Sequence, residues 1–343
     1  MHDMHDAVHK RLSALLDQYH ALGIADQVDY SKYYLYSIIT HSTALEGSTV
    51  TELENRLLFD EGIGAQKPVV EQMMNLDLKA AYEQGLLHAR EHTDYSVELL
   101  CALSALVMKN TGSLYSAMAG NFSSAKGELR LLNVSAGIGG RSYPSYQKVP
   151  GRTEAFCQWL NTERKHIDAA DIVSVYTLSF EAHYRLVSIH PWVDGNGRMS
   201  RLVMNMIQSE YGVVPSVVRK QHRQQYILSL QQSQEQESSA QFLTFMFNNH
   251  CDNLQQQIDE YTTSTGEALL SANEDTWDGT MGGTMALRIM EALAAEPAIT
   301  MDRLSATLGI ARRTLVRYMN KLQQEKRIQR VGGRRYGHWE VIR

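Results

Sequence analysis

Residue spacing predicts a mainly helical protein: a helical bundle interrupted by one short β-hairpin, followed by a small C-terminal domain of helices and a basic hairpin. Three observations carry this. Apolar residues recur at helical spacing near 4–22, 30–45, 51–60, 68–92, 94–110, 152–161, 168–188, 197–211, 220–232, 239–262 and 284–295. Strand-type alternation is sparse; the exception is 127–150, rich in Gly, Ser and Tyr and containing Pro144 and Pro150, where a short hairpin is expected. An acidic, glycine-rich stretch, ANEDTWDGTMGG at 272–283, reads as a linker before the final segment.

Taken in order, the first helix carries His2, His5 and His9, whose spacing suits a solvated face better than a metal site. The amino terminus has neither a basic nor an apolar leader region, so no secretory signal is expected. The stretch YYLYSIITHSTALEG reads as a helix closed by Gly47. Four regions follow: a helical N-terminal region over 1–110, a core over 111–262, a linker over 263–283 and a terminal domain over 284–343.

A chain of 343 residues has ample length for two or three domains and a sizeable core. No apolar run approaches the roughly 18 residues of a membrane-spanning helix, so no membrane is expected. Cys101, Cys157 and Cys251 are few and widely spaced; they form neither a zinc pattern nor a disulfide framework, and a reducing cytoplasm fits them.

The richest run is HPWVDGNGRMSR, from His190 to Arg201. It gathers a base (His190), a hard carboxylate ligand (Asp194), a turn with little Cβ obstruction (Gly195, Asn196, Gly197) and two arginines (Arg198, Arg201). Leu202, Val203, Met206 and Ile207 continue it at helical spacing, so the turn opens a helix. A helix N-terminus attracts anions through its dipole and free N–H groups. Arg198 and Arg201, three apart, can reach the same phosphate chain.

These residues resemble the Fic family signature, His-x-Phe-x-(Asp/Glu)-Gly-Asn-Gly-Arg-x-x-Arg, with Trp192 in place of Phe as a packing anchor. About residues 30–250 look Fic-like, and 127–150 resembles the family's flap, the segment that positions a target protein. The resemblance implies a Fic-type bundle and transfer of AMP from ATP to a Ser, Thr or Tyr hydroxyl of a protein target, the chain itself among them. His190 would be the general base and Asp194 the Mg²⁺ ligand, with Gly195, Asn196, Gly197, Arg198 and Arg201 around the phosphates. Gly197 stands where the related Doc toxins, which phosphorylate, look to carry Lys, and so favours AMP transfer. Tyr226, on the helix after the basic run 219–223, is a candidate neighbour of the adenine, with ordinary core packing as its other reading.

A second run, Ser42-Thr43-Ala44-Leu45-Glu46-Gly47, resembles the family's inhibitory motif, (Ser/Thr)-x-x-x-Glu-(Gly/Asn). In the self-inhibited class this glutamate pairs with the second arginine of the signature, here Arg201, and withholds it from the ATP γ-phosphate. The same glutamate could instead orient a water for AMP removal, and that alternative stays open here.

Charge changes sign across the linker. Residues 284–343 hold twelve Lys or Arg against five Asp or Glu, a net of +7, within a chain of net −5. Their order, three helices and then a hairpin turning at Gly332-Gly333, resembles a winged helix-turn-helix domain. Arg312, Arg313 and Arg317 would lie on the recognition helix, and Arg334 and Arg335 on the wing. DNA binding and protein docking or homo-oligomer formation both fit such a domain. A DNA-binding regulator whose bundle merely senses ATP is thus a rival reading, though intact His190 and Asp194 favour an enzyme.

Overall fold

The computed structural model describes residues 2–27, 29–136, 141–271, 284–297, 299–308, 315, 318–319, 322–323, 327–331 and 338–342. Twelve helices and two small hairpins occur among them. In chain order these are α1 (His2–Ala21), α2 (Tyr30–Leu45), α3 (Glu52–Asp60), α4 (Val69–Arg90), α5 (Val97–Val107), β1 (Leu114–Ala117), β2 (Gly120–Ser123), α6 (Val149–His166), α7 (Ile172–Ile189), α8 (Asn196–Glu210), α9 (Arg223–Glu235), α10 (Ala240–Ser271), α11 (Thr284–Ala295), α12 (Met301–Leu308), β3 (Ile328–Val331) and β4 (His338–Val341). The helices follow the apolar periodicity closely. No described helix is long and apolar enough to cross a membrane.

Helix starts follow local chemistry. Thr51 opens α3 with a capping box: its hydroxyl accepts the Glu54 N–H at 3.3 Å, and the Glu54 carboxylate accepts the Thr51 N–H at 2.8 Å. Ser96 caps α5 through the Leu99 N–H at 3.1 Å, and Pro150 falls in the first turn of α6.

The chain divides into two compact units, Met1–Tyr261 and Thr262–Arg343. In the first, α8 packs against α7 and α4 and lies between two apolar cores. One core gathers Leu78 and Tyr82 of α4, Leu103 of α5, Leu160 of α6, Leu186 of α7 and Leu202 and Met206 of α8. The other gathers Leu12 and Tyr19 of α1, Phe180 of α7, Met204 of α8, Tyr226 of α9 and Phe242 of α10. Residues of α8 are therefore buried on every side, and its polar side chains must find partners inside the protein. Asn205 accepts from Tyr82 Oη at 2.7 Å and donates to the Ser216 carbonyl at 3.0 Å; Gln208 accepts the Ser216 N–H at 2.7 Å. This rigid helix carries the second half of the signature.

The end of α2 is fixed by a buried amide hub. Asn75 Oδ1 accepts from Thr43 Oγ1 at 2.8 Å and from Asn55 Nδ2 at 2.9 Å, while Asn75 Nδ2 donates to Ser48 Oγ at 3.2 Å. Gly47 follows the helix at φ +109°, a conformation that favours glycine, as its expected closing role requires.

In the flap, Ser135 and Ser142 form an antiparallel bridge. The Ala136 N–H donates to the Arg141 carbonyl at 3.0 Å and the Tyr143 N–H to that of Val134 at 3.1 Å, so the flap's two arms pair as a hairpin. A further hairpin, β1–β2, precedes it, with Leu114 opposite Ser123 and Ala117 opposite Gly120; the sequence did not suggest it.

In the second unit, Ile289, Leu293, Leu304, Leu315, Ile328 and Trp339 form a separate small core, and β3 pairs antiparallel with β4. Of the expected linker at 263–283, residues 263–271 continue α10, while 272–283 lie outside the described residues, as do the turn glycines Gly332 and Gly333 and the basic residues Arg312, Arg313, Arg317, Arg334 and Arg335.

Candidate active site

The site forms where α7 ends and α8 begins. Helix α7 stops because His190 takes a left-handed backbone conformation, φ 53° and ψ 62°, uncommon for a residue other than glycine. Its surroundings hold it there. The His190 carbonyl accepts Arg130 Nε at 2.7 Å, and its ring stacks on Tyr143 with centroids 3.9 Å apart. Below the turn, Trp192 is fully buried and its indole N–H donates to the Gly127 carbonyl at 3.0 Å. It is the expected packing anchor.

The Asn196 side chain closes the loop: Nδ2 donates to the Trp192 carbonyl at 2.9 Å, and Oδ1 accepts the Trp192 N–H at 3.1 Å. Gly195 is the α8 N-cap at φ +81°, and a Cβ there would press on Met108 Sδ at 3.0 Å. The Met199 N–H finds the Gly195 carbonyl at 2.9 Å, so the N–H groups of Asn196, Gly197 and Arg198 stand at the free helix end. The turn thus comes to a helix N-terminus as its sequence implies.

The two arginines differ. Arg198 is 2% exposed, yet its contacts are long: the Val107 carbonyl at 3.3 Å, Met108 Sδ at 3.1 Å and Asp194 Oδ1 at 3.5 Å, with Nε buried and unpartnered. Burial pushes its pKa down. Arg201 has a partner on every guanidinium nitrogen. Its Nε donates to Ser42 Oγ at 2.8 Å, NH2 to the Ser42 carbonyl at 2.9 Å and to Glu46 Oε1 at 2.6 Å, and NH1 to Tyr226 Oη at 3.3 Å.

Glu46 sits on the C-cap of α2. A Cβ added to Gly197 would meet Glu46 Oε1 at 2.5 Å, so this carboxylate lies directly on the first turn of α8. Burial pushes the Glu46 carboxyl up, but Arg201, with Arg198 and Arg223 beyond it, outweighs that and holds it below the usual range. Glu46 therefore lies against Arg201, the arginine named for it by resemblance; Ser42, one turn earlier, meets the same guanidinium, which the sequence did not suggest, and Gly47 closes the helix behind them.

Burial pushes the His190 imidazole down to about 4; the Val187 backbone opposes this, Arg130 adds to it, and Asp194 and Glu46 oppose it more weakly. The ring is neutral at pH 7 and able to take a proton. Asp194 is exposed; its Oδ1 accepts the Gly195 N–H at 2.6 Å, and Oδ2 carries no hydrogen bond among the described residues.

A cavity of about 220 Å³ is lined by Glu46, Tyr143, His190, Gly197 and Arg201 together with Tyr226, Ile227 and Leu230 of α9. Tyr226 is buried: its hydroxyl meets His183 Nε2 at 2.9 Å as well as Arg201, so it both packs and braces the site. Sequence reasoning missed Arg130 and Tyr143. Arg130 joins the flap to the turn, donating to the Leu132 carbonyl at 2.8 Å and the Pro144 carbonyl at 2.6 Å besides that of His190. Burial lowers its pKa. A lone arginine inside GELRLL gave no sign of contacts sixty residues away.

Comparison with known proteins agrees with this geometry. A sequence model of the Fic/DOC family matches residues 94–208. Protein adenylyltransferase Fic of Drosophila erecta is 28% identical over 224 residues, which are 64% of this chain and 40% of that protein; protein adenylyltransferase fic-1 of Caenorhabditis elegans is 26% identical over 202 residues, 58% and 36%. The chain thus spans about two fifths of the length of the curated relatives it matches. Among solved structures, a Fic domain containing signaling protein from Bacteroides thetaiotaomicron superposes with TM-score 0.61 at 18% identity, over 74% of this chain and 98% of the other. A Fic family protein from Desulfovibrio desulfuricans gives TM-score 0.54 at 18% identity, over 97% and 96%. Family match and shared fold converge on the segment that carries the histidine turn: residues 94–208 match the Fic/DOC family model, and the fold is that of solved Fic proteins.

Proposed function

We propose that the chain is a protein adenylyltransferase held in check by its own Glu46. It moves AMP from ATP to a Ser, Thr or Tyr hydroxyl of a protein target, itself included. The observation that carries this reading is the seat of the Glu46 carboxylate, 2.6 Å from Arg201 and against Gly197 at the start of α8. A carboxylate resting at a buried cationic helix N-terminus stands in for the anion such a site is built to receive. The relatives named protein adenylyltransferase support the chemistry.

In this mechanism the N–H groups of residues 196–198 and the guanidinium groups of Arg198 and Arg201 bind the triphosphate. Neutral His190 takes the proton as the acceptor oxygen bonds to the α-phosphorus and the bond to pyrophosphate breaks. Asp194 fits Mg²⁺, which binds through one or two carboxylates plus phosphate oxygens; bound there, the ion supplies charge neutralisation. Glu46 withholds Arg201, and the misalignment this imposes on the α-phosphate costs on the order of 10²-fold in rate.

The test is labelling by α-labelled ATP with Mg²⁺. Glu46→Gly should raise self-labelling about 10²-fold over the native protein. Arg201→Ala should not, because it removes the group the γ-phosphate needs. Equal labelling by the native chain and Glu46→Gly ends self-inhibition by this residue. Activation by Arg201→Ala ends the shared-arginine mechanism.

A further inference from the structure

Two more cavities lie outward from the nucleotide cavity, and the three share walls in series. The nucleotide cavity and the next one, of about 370 Å³, both include Tyr143 and Gln234. The second and a third, of about 310 Å³, both include Arg152, Tyr184 and Ser188. The shared lining residues set the three cavities side by side, from His190 past Tyr143 of the flap to the face between α6 and α7, and together they make up a groove. The helices build it by their periodicity. Arg152, Phe156 and Trp159 lie on one face of α6, and Tyr184, Ser188 and Ile189 on the facing side of α7.

Its chemistry changes along its length. Near the flap the wall is polar, and the cations there are Arg141 and Arg152. Arg141 has a partner, Glu237 at 3.6 Å. Arg152 is exposed and has no ion-pair partner among the described residues. At the far end the wall turns apolar, with Phe156 and Trp159 6.0 Å apart. Arg185 lies over the Trp159 ring at 4.0 Å and is neutralised by Glu181 at 2.9 Å. Among the described residues the groove thus offers one free positive charge and then an aromatic pocket, in that order from His190.

We propose that this groove docks an extended segment of the protein target, adjoining its acceptor hydroxyl, that carries an acidic side chain for Arg152 and, further from the hydroxyl, an aromatic or aliphatic side chain for the Phe156–Trp159 pocket. Continuity with the site and charge complementarity name the occupant. An extended chain advances ~3.3 Å per residue, so both features fall within a few residues of the acceptor. The free charge sets partner choice, and the aromatic pocket supplies the anchor. This rests on the adenylyltransferase reading for its acceptor, but its binding step can be measured without catalysis.

The probes are fluorescent synthetic peptides holding Ser, Thr and Tyr acceptors. One set has Glu followed by Leu or Phe on either side of the acceptor, one has Lys for Glu, and one has Gly for the apolar residue. Anisotropy with the full native chain should show the acidic–apolar set binding about tenfold more tightly than either other set. Arg152→Glu should reverse the preference toward the Lys set, which a merely structural role for Arg152 would not do. Trp159→Ala should erase the difference between the apolar and Gly sets. Labelling by Glu46→Gly protein should follow the same ranking. Equal binding of all three sets, or an unchanged ranking with Arg152→Glu, overturns the groove whatever the labelling shows. Ranked binding without any transfer, even by Glu46→Gly, supports the groove and counts against the adenylyltransferase reading instead.

Discussion

The two arginines of α8 stand one turn apart and are equally buried, yet one has a partner on every guanidinium nitrogen and the other does not. Arg201 has the Ser42 hydroxyl and carbonyl, the Glu46 carboxylate and the Tyr226 hydroxyl. Arg198 has a thioether, one long carbonyl contact, a distant Asp194 and an unpartnered Nε. A buried guanidinium with incomplete partners carries a desolvation cost that a bound anion would relieve. The difference teaches that α2 satisfies only the half of the site it can reach. On the self-inhibited reading, the half facing Asp194 would keep its appetite for phosphate, and a nucleotide bound there would still lack the second arginine.

This contrast can be broken most sharply at His190, which serves both halves. In the Glu46→Gly background, His190→Ala should lower AMP transfer by about 10²–10⁴-fold while calorimetry shows nucleotide binding largely kept. Near-native transfer would remove the base from the mechanism. Next, Asp194→Ala should cost about 10²-fold in Mg²⁺-dependent transfer, and a Mg²⁺ titration that fails to separate it from the parent would end that assignment. A pH series in the same background should be flat from pH 7 toward 5 and lose half its rate near 4, because the buried imidazole gives up its role only when protonated. A midpoint near the ordinary histidine value of about 6.5 would mean a solvated ring. The smallest effect is expected of Tyr226→Phe, which removes a hydroxyl shared by Arg201 and His183. Urea unfolding should show about 1 kcal/mol lost, and an unchanged midpoint would make the bridge immaterial.

The sequence conveyed the site unevenly. The helices were legible because apolar spacing repeats over many residues, and the turn at 190–201 because its chemistry is contiguous. Glu46 became legible only through resemblance, since nothing local says that a helix end meets a residue 155 positions away. Arg130, Tyr143 and the Asn75 hub were illegible for the same reason: each acts through long-range contacts that leave no periodic mark. The β1–β2 hairpin escaped because its strands are only four residues long and, beside Tyr115 and Phe122, hold Leu, Ser, Ala, Gly and Asn with no β-branched residue, too short a run for alternation to show.

The depressed carboxyl of Glu46 bears on what can throw the switch. Its pKa lies below the unfolded value, so the stability it contributes is complete above about 4.5. That contribution is lost only as pH falls through the lower folded value. On the self-inhibited reading, mild acidification leaves Glu46 charged and its pair with Arg201 in place. With Asn75 bonded to Thr43 and Ser48 on either side of the glutamate, displacement of the end of α2, rather than protonation, is on that reading the way to free Arg201.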